Sequence, residues 1–511
     1  MRPSFSFPSL ICVAVLPILA GAIAPSSWQI EGRSPPSKIT AAEIIEQLGP
    51  QLSAASTIFG QDDDRWENAT ERWQAAYQPS FSVVVEPATE ADVPVVVKYA
   101  NAQGIPFLAA NRRHGSTKTL GKLKNGIEIS LSQLTAIEIA EDQESAFFEG
   151  GVWDGQVVDA LWEQGFVTGT GSCACVSLMG PGLGGGHGRY QGFYGLIIDM
   201  LISMNVVLAD GSTITVNETS HPDLWWAMRG AGHNFGIVTS FQAGIHRRTV
   251  DEWYIKEYVY TQDKLESLFA VLNEQQEDGG QPKELMNLAL FTWDARWPEE
   301  PVIQVLTHYV GTAEEAAPFL SAFDDVGPLH SEAQSLSYPA VLDATGTGLN
   351  SPMCQDGHTN MQFPFGLLKH NITATRQIYD YYSSVTTAQP LFNQSIVVFE
   401  AYSLQGVQAV DPDSSAFPHR DDNLLNDVLV TYDPDSSLDD EAVRIGKQIT
   451  EFWAQGQPDR ERHIYVNYAF GDEPLEQMYG SEPWRLERLR AAKAKYDPDN
   501  VFRFYNPIIR N

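Results

Sequence analysis

The sequence predicts an α+β protein built in more than one part, in which a mixed segment of strands and helices leads into one large antiparallel sheet covered by helices. Three observations carry this reading. Between 79 and 248, short extended runs alternate with helical patterns. From about 249, long period-two runs take over, the mark of strands with one face packed and the other free. Finally, 511 residues with 43% apolar and 11% aromatic content exceed what one ordinary core organises.

In chain order, residues 1–24 read as an export signal. Arg2 gives the positive start, Leu10 to Leu19 a short apolar stretch, and Ala22-Ile23-Ala24 a small-residue cleavage pattern. The stretch is too short to span a bilayer comfortably and no later one is apolar enough, so no membrane partner is expected after signal removal. Residues 25–78 form a lead-in with one helix, Ala41 to Leu48.

The segment 79–248 opens with an extended run, Phe81 to Val85, and a helix on which Val93, Val96, Val97 and Ala100 share a face. Thr89 can cap that helix, Asp92 sits in its first turn and Gly104 closes it. Ile105 to Ala110 resumes extended structure, Gly126 to Leu131 and Ser145 to Gly150 add strands, and Gly155 to Gly165 is a second amphipathic helix. Met204 to Leu208 and Thr213 to Val216, joined by Ala209-Asp210-Gly211, form a β-hairpin.

In the segment 249–460 the strands are Trp253 to Tyr260, Met286 to Trp293, Val302 to Val310, Ile396 to Ser403 and Val428 to Tyr432. Such a sheet makes a good wall for a pocket. The final segment, 461–511, holds an alternating strand from His463 to Phe470, a helix from Glu482 to Tyr496 and the turn Asp497-Pro498-Asp499-Asn500. Without internal repeats or long linkers, the parts are expected to interleave.

Charge and cysteines narrow the function. A net charge of −32 argues against nucleic acid, whose polyphosphate needs clustered Lys and Arg. Sequons at Asn68, Asn217, Asn371 and Asn393 behind a signal point to glycosylation and a secretory or extracellular address. Cys12 leaves with the signal, so Cys173, Cys175 and Cys354 remain, an odd number in an oxidising compartment. One thiol therefore needs another explanation.

The densest chemical signal is Gly180-Pro181-Gly182-Leu183-Gly184-Gly185-Gly186-His187-Gly188. Glycines let backbone amides approach a phosphate, so the run is a candidate anion cradle, with Gly180, Gly182, Gly184, Gly185, Gly186 and Gly188 as cofactor-binding positions. A dinucleotide fold of the G-x-G-x-x-G type fits badly, because glycines continue where its helix should begin.

Together with this run, Glu86-Pro87-Ala88-Thr89, Asn111-Arg112-Arg113-His114-Gly115-Ser116, Gly171-Ser172-Cys173, Asp223-Leu224-Trp225-Trp226 and Gly232-His233-Asn234-Phe235-Gly236-Ile237-Val238 succeed one another in a telling order. So do Tyr465-Val466-Asn467-Tyr468 and Tyr496-Asp497-Pro498-Asp499-Asn500 in the tail. This succession resembles the berberine-bridge-enzyme-like FAD oxidases of the vanillyl-alcohol-oxidase superfamily, with a PCMH-type FAD-binding domain, in a fungal-type secreted form. The resemblance covers nearly all of the chain after the signal.

It implies a two-part FAD domain, from the segment before about 248 and the tail, with the sheet carrying a small-molecule substrate. It implies FAD bonded to His114 and also to Cys173, which nine residues separate from Leu183 as in doubly linked members, whereas Cys175 stands too close. If FAD consumes Cys173, then Cys175 and Cys354 remain as a candidate disulfide pair. Arg112, Arg113, Gly115, Ser116, Gly236, Ile237, Val238 and Asn506 are the further cofactor-binding positions, and no metal is implied.

For catalysis the resemblance puts Tyr465 first, as the base of the Tyr-x-Asn strand, with Glu400 in reserve and Tyr468 weaker because it would face the other side of a strand. His419 and Arg420 are expected near the substrate face, and Val176 resembles the oxidases at a position that lines oxygen access. The expected activity is oxidation of an alcohol or secondary metabolite, or an oxidative cyclisation, with dioxygen as acceptor and hydrogen peroxide as product. A carbohydrate oxidase and a secreted flavin-binding protein without turnover are the alternatives. A nicotinamide dehydrogenase would instead be colourless.

Overall fold

In the computed structural model, residues 39–277 and 281–509 are described, and the predicted signal lies outside them. The predicted first helix forms over Ala41–Leu48, and a reciprocal cap starts it. Thr40 Oγ1 accepts from the Glu43 N–H at 3.3 Å while Glu43 Oε2 accepts from the Thr40 N–H at 2.8 Å.

A four-stranded sheet follows, ordered Thr57–Phe59, Phe81–Glu86, Gly126–Ser130, Phe107–Ala110. The last three strands run parallel, and a crossover helix, Asp92–Gln103, connects two of them. Gly104 ends that helix at φ 67°, a left-handed conformation that a glycine adopts without strain. Thr89 does not cap it. Its hydroxyl and N–H donate to the Asp92 carboxylate at 2.7 and 3.1 Å, so the helix starts at Asp92 itself.

Next to it stands a five-stranded antiparallel sheet, ordered Ile137–Ile139, Ser145–Glu149, Ile237–Gly244, Leu201–Val207, Thr213–Asn217. The predicted hairpin closes it, with Val207 opposite Thr213. Apolar side chains of both sheets and their helices form continuous cores.

The third large element is a seven-stranded antiparallel sheet: β1 (Trp253–Tyr260), β2 (Leu285–Asp294), β3 (Trp297–Val310), β4 (His330–Leu336), β5 (Thr359–Leu367), β6 (Ile396–Ala401) and β7 (Leu424–Tyr432). Their order is β4-β1-β3-β2-β6-β7-β5. The edge strands β4 and β5 were not legible: β4 is mostly exposed and polar, so it lacks apolar alternation, and β5 is buried at all but Gln362 and carries Pro364, which only an edge tolerates readily.

Period two divides this sheet into two faces. Ala289, Phe291, Ile303, Val305, Val397 and Phe399 meet four helices, α1 (Leu265–Glu274), α2 (Ala313–Val326), α3 (Ile372–Ala388) and α4 (Asp439–Gly456). Gly446 of α4 lies so close to Phe363 that a Cβ there would run into the ring. The alternate residues, among them Leu288, Leu290, Gln304, Val398 and Glu400, face a cavity.

The tail departs from expectation at one place. His463 to Phe470 is not a strand; it contains a turn in which the Tyr468 N–H donates to the Tyr465 carbonyl at 3.0 Å. Partners from the end of the chain take the carbonyls a strand would have used: Asn506 Nδ2 donates to Val466 O at 2.8 Å and Tyr505 Oη to Asn467 O at 3.2 Å. The predicted helix then runs over Pro483–Tyr496. Lys493 is buried at its end, and its ammonium donates to Asp497, Asn234 O and Phe502 O, each at 2.7 Å, so all three of its protons are used.

All described residues fall in one unit, Ser37–Asn511. Among them no helix is long and apolar enough to cross a membrane.

Candidate active site

A cavity of about 750 Å³ lies between the open face of the seven-stranded sheet and the loops of the smaller sheets. On the loop side its wall includes Arg112, Arg113, His114 and Gly115, which follow the strand Phe107–Ala110, and Gly236, Ile237 and Val238. His114 stacks on Trp73 with ring centroids 5.5 Å apart. Burial, with Arg112 and Arg72 beside it, pushes the His114 imidazole down to about 3, so it is uncharged at neutral pH. Arg113 adopts φ 58°, and its side chain is held there by Nε donating to the fully buried Glu128 at 2.7 Å. Arg112 Nε donates to Cys175 O at 3.1 Å.

The glycine run has a different local reason from the one expected. Gly180 borders the cavity, but Gly182, Gly184, Gly185, Gly186 and Gly188 are not in its wall. A Cβ at Gly184 would run into Asn467, at Gly185 into Phe417, at Gly186 into Ile197 and at Gly188 into the Thr170 carbonyl; at Gly182 it would crowd Ile197. The chain packs that closely on itself, and this packing demands glycine. Ser116 and Asn506 likewise stand behind the wall: Ser116 Oγ donates to Gln362 at 2.7 Å, and Asn506 Oδ1 accepts from Thr117 Oγ1 at 2.8 Å, tying the tail to the His114 loop.

Cys175 and Cys354 form a disulfide, with Cα atoms 5.7 Å apart. Cys173 is free, lines the cavity, and burial pushes its thiol up to about 11 against the pull of Arg189. Arg189 is buried beside it: Nη1 donates to Ser172 O at 2.7 Å, and Nη2 to Thr345 and Thr347 at 3.2 and 3.1 Å. Val176 also belongs to the wall.

At the sheet end, Tyr465 Oη sits among three donors, Asn467 Nδ2 at 2.7 Å, Gly186 N–H at 3.1 Å and His187 N–H at 3.4 Å. Burial nevertheless pushes the phenol up to about 12. Its lone pairs are engaged, so its own proton is left for the cavity. The turn, which replaces the expected strand, puts Tyr468 on the same side, with ring centroids 5.0 Å from Tyr465. Glu400 accepts from Tyr402 Oη at 3.0 Å and more loosely from Tyr468 Oη at 3.4 Å. Burial raises its carboxyl to about 7.

Sequence reasoning missed Asp427, the next carboxyl on this face, raised by burial to about 8 and held by Gln362 Nε2 at 3.0 Å and the Phe363 N–H at 2.9 Å. An acidic residue inside the apolar run Leu424–Tyr432 was the available signal, but the expected strand began at Val428, one residue too late. The lead-in pair Arg72 and Trp73 was missed too, since nothing nearby in sequence marks them.

Conversely, His419 and Arg420 are not in the cavity wall. His419 Nε2 lies 2.8 Å from Gln477 O, and Arg420 forms a buried pair with Asp199 at 2.7 Å, so both brace the fold. His419, Asp422 and His463 bring possible metal-ligand atoms within 4.8 Å of one another. The Arg460 guanidinium bonds Asp422 and stands 3.1 Å from His463 Nδ1, so a positive charge already occupies the cluster.

The wall leaves buried polar atoms without a partner in the chain: Arg72 Nη1, Arg189 Nε and Asn467 Oδ1. Such atoms are seldom left unpaired, so the cavity suits a large group rich in heteroatoms. Comparison with known proteins agrees. Residues 81–217 match the FAD binding domain family model, and residues 464–509 match the model for berberine and berberine-like proteins. The FAD-linked oxidoreductase anuG of Penicillium roqueforti is 49% identical over 93% of this chain and 93% of its own length.

Among solved structures, Physcomitrella patens BBE-like 1 superposes with a TM-score of 0.77 at 21% identity, over 91% of this chain and 100% of that one. Glucooligosaccharide oxidase from Acremonium strictum, with its 6-S-cysteinyl, 8α-N1-histidyl FAD, has a TM-score of 0.77 at 19% identity, over 90% of this chain and 98% of that one. Tail and loops meet at one cavity, and the chain belongs to the berberine-bridge-enzyme-like family of FAD-linked oxidoreductases.

Proposed function

We propose that this oxidoreductase is an oxidase: a hydroxyl-bearing carbon of a small organic substrate loses hydride, Glu400 takes the hydroxyl proton, and dioxygen is the final acceptor. The observation that carries this is the raised Glu400 carboxyl in the cavity wall. A general base must be ionised at the working pH. Among the acids at this end, Tyr465 at about 12 and Cys173 at about 11 stay protonated near neutrality, Asp427 at about 8 has both carboxylate oxygens engaged by Gln362 and the Phe363 N–H, and Glu400 at about 7 titrates there.

In this reading Glu400 comes before Tyr465 as the base. Tyr465, with its oxygen fixed by three donors, offers its proton to the substrate oxygen and orients it. Glu400, loosely held on the Tyr468 side, has room to accept. When bound, FAD supplies a hydride acceptor that dioxygen can reoxidise with release of hydrogen peroxide. Asp427 and Gln362 brace this end of the wall.

His114 and Cys173 hold the cofactor covalently in this reading. Three facts support it: both side chains line one cavity, the His114 imidazole is uncharged and keeps a lone pair, and Cys173 is the thiol that the disulfide leaves over. Glucooligosaccharide oxidase, of the same fold, carries cysteinyl and histidyl links. We also assign the chain to the secretory route, supported by the disulfide and by exposed sequons at Asn68, Asn371 and Asn393, with Asn217 half-buried.

The test is direct. Mixed anaerobically with an accepted alcohol, the yellow protein should bleach and recover in air with one hydrogen peroxide per alcohol consumed. Bleaching that air does not reverse would remove dioxygen from the reaction. Failure to bleach with any alcohol would leave a flavin-binding protein.

A further inference from the structure

The open face of the sheet has a composition of its own. Starting at Glu400, the cavity side of β2, β3, β6 and β7 carries Leu288, Leu290, Leu306, Ile396, Val398 and Leu429. These residues are adjacent across the strands: Leu288 pairs with Glu400 and with Leu306, Leu290 with Val398, and Ile396 with Leu429. Leu288, Leu290, Ile396 and Val398 remain partly open to the cavity. The same strands pack their other face against α1 to α4.

Polar groups bracket this stretch. At one end stand Glu400, Tyr402 and Tyr468, and at the other Thr292 of β2; at the sides, Glu257 of β1 lies opposite Leu306, Gln304 of β3 opposite Leu290, and Asp427 of β7 opposite Val398. From the Leu288 pair to Thr292 the lane is four residues of strand, about 14 Å at the usual rise. Along it the aliphatic side chains offer no donor or acceptor, and at its sides Gln304 already donates to Glu257 and Asp427 already accepts from Gln362 and the Phe363 N–H. A sugar laid there would lose the hydration of its hydroxyls without replacement, whereas a hydrocarbon would shed ordered water from itself and from the half-open leucines.

We propose that the substrate is amphiphilic: an alcohol head at Glu400 and Tyr465, and an alkyl or prenyl-like tail lying along the Leu288–Leu290–Val398–Ile396 lane toward Thr292. This rests on the reading of Glu400 as the reactive end, and it selects a lipophilic alcohol over the oligosaccharide alternative.

The experiment titrates the flavin-loaded protein with 2-methylalkan-2-ols of increasing chain length and follows the shift of the flavin absorbance. These tertiary alcohols have no hydrogen on the hydroxyl carbon and cannot be oxidised there, so binding is read apart from turnover. Each added methylene should tighten Kd by about two- to fourfold until the lane is filled. In Leu290→Asn, or in the near-isosteric Val398→Thr if the first variant fails to fold, that gain per methylene should shrink toward one.

A Kd independent of chain length overturns the proposal, as does a gain that both variants leave intact or xylobiose binding as tightly as the longest alcohol. Chain-length-dependent binding without turnover of the matching 4-alkylbenzyl alcohols would instead sink the oxidase reading and leave the lane standing.

Discussion

The two faces of the seven-stranded sheet share a backbone and differ in everything else. On the helix side, Phe291, Phe399 and Val397 lie buried in a packed core. On the cavity side, one residue along in each strand, Leu290, Val398 and Glu400 meet open space, and burial keeps two carboxyls, Glu400 and Asp427, unusually hard to ionise. Period two lets one strand serve stability with its odd residues and chemistry with its even ones. A substitution on one face should therefore read out in melting, and on the other in turnover.

The sharpest break of that comparison is at Glu400. Glu400→Gln keeps the shape and removes the acceptor, so kcat should fall by about a hundred- to ten-thousandfold, the usual worth of a positioned base. In the parent enzyme, activity should rise with pH through about 7 as Glu400 ionises, and the variant should lose this limb. Steady-state rates across pH check both. A limb that persists in the variant belongs to another group.

Its neighbour Phe399 should show the opposite pattern. Phe399→Ala opens a void in the helix-side core and should cost about 3–5 kcal/mol, seen as a lower denaturant midpoint. Val398→Ala, one residue away and half-open, should cost no more than about 1 kcal/mol. Equal losses at the two positions would mean that the faces are not distinct.

A smaller effect is expected at Tyr465. Tyr465→Phe removes one hydrogen bond to a reacting oxygen and should lower kcat by about ten- to a hundredfold, leaving the pH limb in place. If the limb moves or vanishes instead, Tyr465 and not Glu400 is the base.

The mildest prediction concerns Asp427. Its folded-state value, about 8, lies above the ordinary 3.8, so the folded protein binds the proton more tightly than the unfolded chain. That preference is present in full below about 4 and is lost as pH rises through about 8. Asp427→Asn carries no such proton, so its Tm measured against the parent should climb as pH goes from acid to alkaline. A constant difference would place the carboxyl in a more polar setting than its burial implies.

Much of this was legible in the sequence, and the reasons for the rest are local. The Tyr465 tail and the His114 and Cys173 positions carry short motifs that survive without knowledge of contacts, and the strand that bears Glu400 shows in its period-two alternation. The cysteine count left one thiol over, and the Cys175–Cys354 bond accounts for the other two. The His463 to Phe470 turn was hidden because its alternation mimics a strand, while the partners that bend it come from Tyr505 and Asn506, far along the chain. Glycines 184–188 suggested a cradle because sequence shows the absence of side chains and not what fills the space. Trp73 and Asp427 needed three-dimensional neighbours to acquire meaning.

The proposed chemistry depends on a flavin fixed between the two walls of one cavity. Acid precipitation followed by proteolysis and mass mapping tests this most directly. The prediction is that yellow flavin stays with the chain, joining the peptide that holds His114 to the one that holds Cys173, and that His114→Ala still retains it through Cys173. Flavin released wholly into the supernatant, or found on a peptide containing neither residue, would contradict it.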